Sequence, residues 1–182
     1  YTLIPEKGTP FYEKYEKGEL QFLDEKSELE FFHLTADYLE KNNFKRYEVS
    51  NYYKINHDPC RHNLKYWNLK PYLGFGPSAH SYLSPLRYSN VKNVSKYIAS
   101  WEKGQPAIIE LEQLETAIEM FEYIFLKLRM IEGISLNGFK QKFNQSFTEI
   151  YYNQVQKLIN KDLAETEDGY FRLTEKGFDL AD

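Results

Sequence analysis

Leu163-Ala164-Glu165-Thr166-Glu167-Asp168-Gly169-Tyr170-Phe171-Arg172-Leu173 decides how the C-terminal third folds. Two short runs flank Asp168-Gly169, and Asp-Gly supplies the two left-handed residues of a tight hairpin. Upstream, Ser146-Phe147-Thr148-Glu149 has the form of a capping box and predicts a helix carried by Ile150, Tyr151, Val155 and Leu158. Further upstream, from Leu111, the positions Leu114, Ile118, Phe121, Phe125 and Leu128 recur at steps of three and four. That period predicts a core helix, which Gly133 is expected to stop. Helix, helix, hairpin and a last short helix make a winged-helix-like module. Its wing tip is Glu165, Glu167 and Asp168, and residues 112–182 hold 8 Lys and Arg against 13 Asp and Glu. Phosphate contacts need Lys and Arg, so nucleic acid is not the expected partner.

The N-terminal part reads differently. Tyr1-Thr2-Leu3-Ile4 has the look of a short strand, and Pro5 with Gly8-Thr9-Pro10 marks a turn into a helix near Phe11. Asp24 is an N-cap for a second helix, along which Leu29, Phe32, Ala36 and Leu39 fall at helical spacing. Asn42-Asn43 offers a left-handed C-cap, and residues 44–49 read as a strand. This strand-helix-strand order predicts an α/β layer with parallel strands. A polar loop, a short helix over 61–68, a buried strand over 72–75 and a helix near 94–102 follow. Gly104-Gln105-Pro106 then marks an expected boundary between residues 1–105 and a helical domain over 106–182.

A chain of 182 residues is long enough for one or two domains with real cores. One cysteine, Cys60, no apolar run of membrane-spanning length and no charged-then-apolar leader point to a soluble protein of a reducing compartment, the cytoplasm by default. Net charge is −4, yet residues 41–70 are basic, with seven Lys and Arg against Glu48 and Asp58. Aromatic content of 17 % suits either a generous core or surfaces that stack on flat ligands.

Functional groups are densest in Cys60-Arg61-His62-Asn63-Leu64-Lys65-Tyr66-Trp67 and Leu73-Gly74-Phe75-Gly76-Pro77-Ser78-Ala79-His80-Ser81, the place where a ligand is expected. Gly74 and Gly76 at a strand end let backbone approach a ligand, or simply permit a tight turn. Cys60 and His62, two apart, do not align as nucleophile and base, so Cys60 reads as a structural or incidental thiol. His33 reads as a surface or boundary residue.

These stretches, with Tyr47-Glu48-Val49-Ser50-Asn51, Tyr72-Leu73-Gly74-Phe75-Gly76, Leu128-Arg129-x-x-Glu132-Gly133-Ile134 and Leu173-Thr174-x-x-Gly177, resemble the C-terminal half of a radical S-adenosylmethionine family. That family contains anaerobic coproporphyrinogen III oxidase and the heme chaperone HemW. The resemblance runs nearly end to end. It implies that residues 1–105 are the last part of an incomplete (β/α) barrel and that a helical, winged-helix-like domain follows. It also implies three cofactors for the complete form: S-adenosylmethionine, a [4Fe-4S] cluster and heme. The cluster's Cys-x-x-x-Cys-x-x-Cys loop has no counterpart in a chain whose sole cysteine is Cys60, so the chain is expected to be a fragment without reductive cleavage activity of its own.

Within the family, His62-Asn63-Leu64-Lys65-Tyr66-Trp67 is similar to the heme-binding motif of the chaperone branch. The resemblance implies that His62 is an iron ligand. Tyr66 and Trp67 would face a macrocycle, and Arg61, Lys65 or Lys54 would meet propionates. A packing role for His62 stays open, with His57 and His80 as further ligand candidates. Gly74, Gly76 and Ala79 match the S-adenosylmethionine pocket, and Glu48 is a candidate polar residue of that pocket. Ser50-Asn51 departs from the Asp-His of the oxidase branch, which favours the chaperone. The alternatives are an oxygen-independent coproporphyrinogen III oxidase and a winged-helix module for protein partners. Expected partners are heme or porphyrin, a heme-recipient protein, and a second copy through an uncovered barrel edge.

Overall fold

The computed structural model describes residues 3–181. Of the first expected strand, Tyr1 and Thr2 lie outside these residues, while Leu3 and Ile4 are exposed and belong to no strand. Helix α1 (Pro10–Glu16) opens with Pro10 in its first turn and Thr9 as N-cap, whose hydroxyl accepts from the Tyr12 N–H at 3.2 Å. Helix α2 (Glu25–Lys41) is capped as the sequence indicates: Asp24 Oδ1 accepts from the Ser27 N–H at 2.7 Å. Asn43, at φ 64°, ends it in the left-handed region.

Strand β1 (Phe44–Arg46) then pairs antiparallel with β2 (Tyr52–Lys54). Every strand pair among the described residues is antiparallel, which corrects the expected parallel α/β layer, and no barrel closes among them. The reason is chain length: residues 47–51 are all that join β1 to β2, and a parallel crossover needs about a dozen residues or more.

Helix α3 (Arg61–Trp67) follows, as expected. The expected buried strand over 72–75 is absent. Tyr72 makes a lone bridge to Tyr82, while Leu73 and Phe75 are 52 % and 86 % exposed. Gly76, at φ 101°, turns the chain back toward β3 (His80–Leu83) instead of extending it. Strands β3, β4 (Leu86–Asn90) and β5 (Ile108–Gln113) form one antiparallel sheet, with α4 (Val94–Glu102) inserted between β4 and β5. The segment after Pro106 is therefore a strand that completes an upstream sheet, not the start of an all-helical region.

The C-terminal part runs α5 (Thr116–Leu128), β6 (Ile134–Ser135), α6 (Leu136–Phe143), α7 (Phe147–Ile150), α8 (Tyr152–Asn160), β7 (Ala164–Glu167), β8 (Tyr170–Leu173) and α9 (Glu175–Phe178). With the sheet ordered β6-β8-β7, this is the winged-helix-like arrangement read from the hairpin. Asp168 and Gly169, at φ 50° and 79°, form the expected tight turn. The core gathers Met120, Tyr123, Ile134, Phe139, Phe147 and Phe171.

Of two further sequence expectations, one holds in part and one fails. The periodic stripe of α5 makes only part of the core: Leu114 is buried and Leu128 packs against the core, but Ile118, Phe121 and Phe125 are 42 %, 67 % and 55 % exposed, while Met120 and Tyr123 pack inward. The capping box does not form, since the Ser146 hydroxyl lies 3.3 Å from that of Thr148 and the helix breaks at Tyr151 into α7 and α8.

Polar ties join the N- and C-terminal parts. The Arg46 guanidinium lies between the rings of Phe32 and Phe178, 4.6 and 5.0 Å from their centroids. Tyr82, Ser84 and Lys142 all donate to Glu119 Oε1, at 2.7, 2.6 and 3.1 Å. The Val49 N–H donates to the Arg129 carbonyl at 2.9 Å, beside the Glu48–Met130 bridge.

Candidate functional site

Helix α3 sorts its motif onto two adjacent faces, because residues four apart stack along a helix. His62 and Tyr66 form one pair, with ring centroids 4.9 Å apart and planes at 81°. Tyr66 in turn meets Tyr72 edge-on at 4.8 Å, and Tyr72 lies 6.4 Å from Tyr82. A row of aromatic rings thus runs from an exposed histidine to a buried tyrosine. Among the described residues no hydrogen bond engages the His62 imidazole.

The second pair turns inward. Asn63 Nδ2 donates to the Tyr47 hydroxyl at 3.2 Å, and the Arg129 guanidinium covers the Trp67 ring at 5.4 Å. Asn63 and Trp67 therefore anchor α3 to the 47–49 segment and to the end of α5. Trp67 Nε1 is buried with no hydrogen-bond partner among the described residues. Glu48, fully buried, accepts from the Ser50 N–H through Oε1 at 3.0 Å, and its Oε2 likewise has no such partner. At the C-terminal end of α3, Asn68 Oδ1 receives the Lys127 ammonium at 2.5 Å, and burial lowers the pKa of that lysine.

The backbone of Gly74, Gly76 and Ala79 is bonded to residues of β3, β4 and α4. The Gly74 N–H donates to the Ser81 hydroxyl at 3.0 Å and the Gly76 N–H to the Tyr97 hydroxyl at 3.2 Å, while Asn90 Nδ2 donates to the Gly76 carbonyl at 2.9 Å. A Cβ at Gly74 would lie 2.2 Å from the His80 carbonyl oxygen, so close backbone packing accounts for that glycine. His57 and His80 are exposed, Cys60 is a free exposed thiol, and Arg61 is paired with Asp58 at 2.7 Å. His33 is a half-exposed residue whose Nε2 lies 3.1 Å from Asp179. Tyr47, Lys127 and Arg129 were given no role by sequence, although Tyr47 and Arg129 stand inside quoted motifs; Lys127 had no signal of its own.

Comparison with known proteins bears on this arrangement. Residues 117–180 match the HemN C-terminal domain. The chain is 34 % identical over 182 residues to the heme chaperone HemW of Lactococcus lactis, an alignment covering 99 % of this chain and 47 % of that protein. The heme chaperone HemW of Bacillus subtilis is 32 % identical over 178 residues, covering 97 % of this chain and 46 % of that protein. The chain belongs to the HemW/HemN-like family. It spans about half the length of the curated HemW relatives and matches their C-terminal portion. Coproporphyrinogen III oxidase (HemN) from Escherichia coli, described as a radical SAM enzyme, shares the fold at a TM-score of 0.62. That match has 14 % identity and covers 82 % of this chain and 38 % of the other. The HemN C-terminal domain begins one residue into α5 and ends just past α9, so it takes in the whole winged-helix-like arrangement.

Among the described residues no group of three or more His, Cys, Asp or Glu is gathered to hold a metal ion, and no helix is long and apolar enough to cross a membrane.

Proposed function

We propose that this chain is the heme-holding C-terminal part of a cytoplasmic heme chaperone, with His62 as the iron ligand. The observation that carries the proposal is the exposed imidazole of His62 on α3, engaged by no hydrogen bond among the described residues, in a chain aligned from end to end with proteins named heme chaperones. The donor fits the group, since an unprotonated imidazole nitrogen is a good axial ligand for heme iron. Tyr66 supplies an apolar ring edge beside the ligand, and Asn63 and Trp67 fix the helix that presents it. Lys65 and Lys54 remain the cations proposed for the propionates.

The same reading gives S-adenosylmethionine the contacts Gly74, Gly76, Ala79 and Glu48. The Glu48 Oε2 supports it, being a buried acceptor without a partner among the described residues; the two glycine N–H groups are engaged internally and offer the cofactor only their carbon faces. The residues present do not fit a [4Fe-4S] cluster, because Cys60 is the sole cysteine. Division at residue 105 belongs to the proposal with one amendment, that β5 serves the upstream sheet. A heme recipient and self-association through the uncovered barrel edge are part of it too. The oxidase reading has a shared fold in its favour, which at 14 % identity is a statement about fold.

The test is a heme titration of the purified protein followed by Soret absorbance. A shifted band is expected for the natural sequence, and the His62→Ala variant should lose it or bind about tenfold more weakly or worse. An unchanged band in the variant, with His57→Ala or His80→Ala losing it instead, moves the ligand elsewhere.

A further inference from the structure

A cavity of ≈ 350 Å³ lies between α3, α5 and the β3–β4 sheet, one residue away from the proposed ligand. Its wall carries Tyr66, Leu69, Tyr72, Tyr82 and Phe125, with Lys70, Arg87 and the Glu122 carboxylate at its polar edge. The two cations differ. Arg87 is committed to Glu112 and Glu122, both at 2.8 Å, whereas among the described residues no carboxylate pairs with the exposed Lys70. Phe125 is 55 % exposed although it lies on an apolar helix stripe, and its ring borders this hollow.

We infer that this hollow between α3 and α5 is a porphyrin-ring site, taking an edge of the macrocycle against Tyr66, Tyr72 and Phe125 with a carboxylate substituent at Lys70. The ligand class rests on the heme reading above; the site itself rests on shape and chemistry. Ligand pockets span roughly 300–1,000 Å³, so a hollow at the lower end takes part of a large flat ring and leaves the rest outside. Aromatic walls favour a flat apolar face, and one unpaired cation at the rim suits a ligand that is apolar in the plane and anionic at its edge. His62 does not line the hollow itself but packs against Tyr66, which does, with ring centroids 4.9 Å apart.

Metal-free protoporphyrin IX separates this site from the iron ligand, because it has no axial position to fill. Its fluorescence on titration should report binding to the purified protein. Phe125→Glu, which puts a charge into the apolar wall, should weaken that binding by about tenfold or more. Lys70→Glu should weaken it by a smaller factor. Phe121→Glu, one turn earlier on the same exposed stripe and outside the cavity lining, should bind as the natural protein does. If the natural protein does not bind the metal-free ring, or Phe125→Glu binds it as well as Phe121→Glu does, the site is overturned while His62 ligation is judged by the heme titration alone.

Discussion

Glu119 concentrates more of the tertiary structure than any residue singled out by sequence. Burial acts to raise its pKa, but the donors Ser84, Tyr82 and Lys142 outweigh burial and leave the carboxyl below its ordinary value of 4.5. A depressed carboxylate contributes stability that is present above the unfolded value and is lost as pH falls through the folded one. Denaturation between pH 7 and 3 should therefore show the natural protein losing stability below about pH 4.5, with Glu119→Gln flatter there and lower by about 1–2 kcal/mol at neutral pH. Parallel curves for the two proteins would remove Glu119 as the coupling residue. No pattern in the sequence marks Glu119, because its three partners come from β3, the turn after it and α6. The α3 motif is the opposite case. Its spacing alone assigns His62 with Tyr66 and Asn63 with Trp67 to separate faces, and only the partners of those faces, Tyr47, Tyr72 and Arg129, needed the fold.

Among elements, the middle of α2 and the end of α9 are held together through β1. Arg46 is stacked between Phe32 and Phe178 and donates to the Val49 carbonyl at 3.0 Å and the Glu48 carbonyl at 3.3 Å, so one planar cation serves two rings and two backbone acceptors. Arg46→Leu should cost roughly 2–3 kcal/mol and lower the thermal midpoint by about 5–10 °C. Arg46→Lys should not restore it, because an ammonium cannot lie flat between rings. A calorimetric midpoint unchanged by Arg46→Leu would refute the clamp. Local signals made most helices legible: Asp24 as a cap, Asn43 as a left-handed stop, and Asp168-Gly169 as a turn all act within four residues. Strand direction was not legible, since the partner of β1 is chosen by the five residues after it rather than by its own composition. The stripe of α5 shows the same limit. Period 3.6 reports that a helix has an apolar face, and says nothing of whether that face is covered.

At the scale of the molecule, apolar side chains are left outside on several elements: Phe31 and Leu34 on α2, Phe75 after α3, Phe121 and Phe125 on α5. The acidic wing contrasts with them. Arg172 donates to both Glu165 and Glu167, so part of that charge is already neutralised within the hairpin. The proposed heme site lies on the aromatic side formed by α3, the residues after it and α5, away from the acidic wing. Paramagnetic broadening tests that assignment most directly, because ferric heme erases nearby amide signals wherever it binds. On adding ferric heme to the isotope-labelled protein, the signals of His62, Tyr66, Tyr72 and Phe125 should broaden first while those of residues 163–173 stay sharp. Broadening centred on the wing, or spread evenly over the chain, would contradict the account.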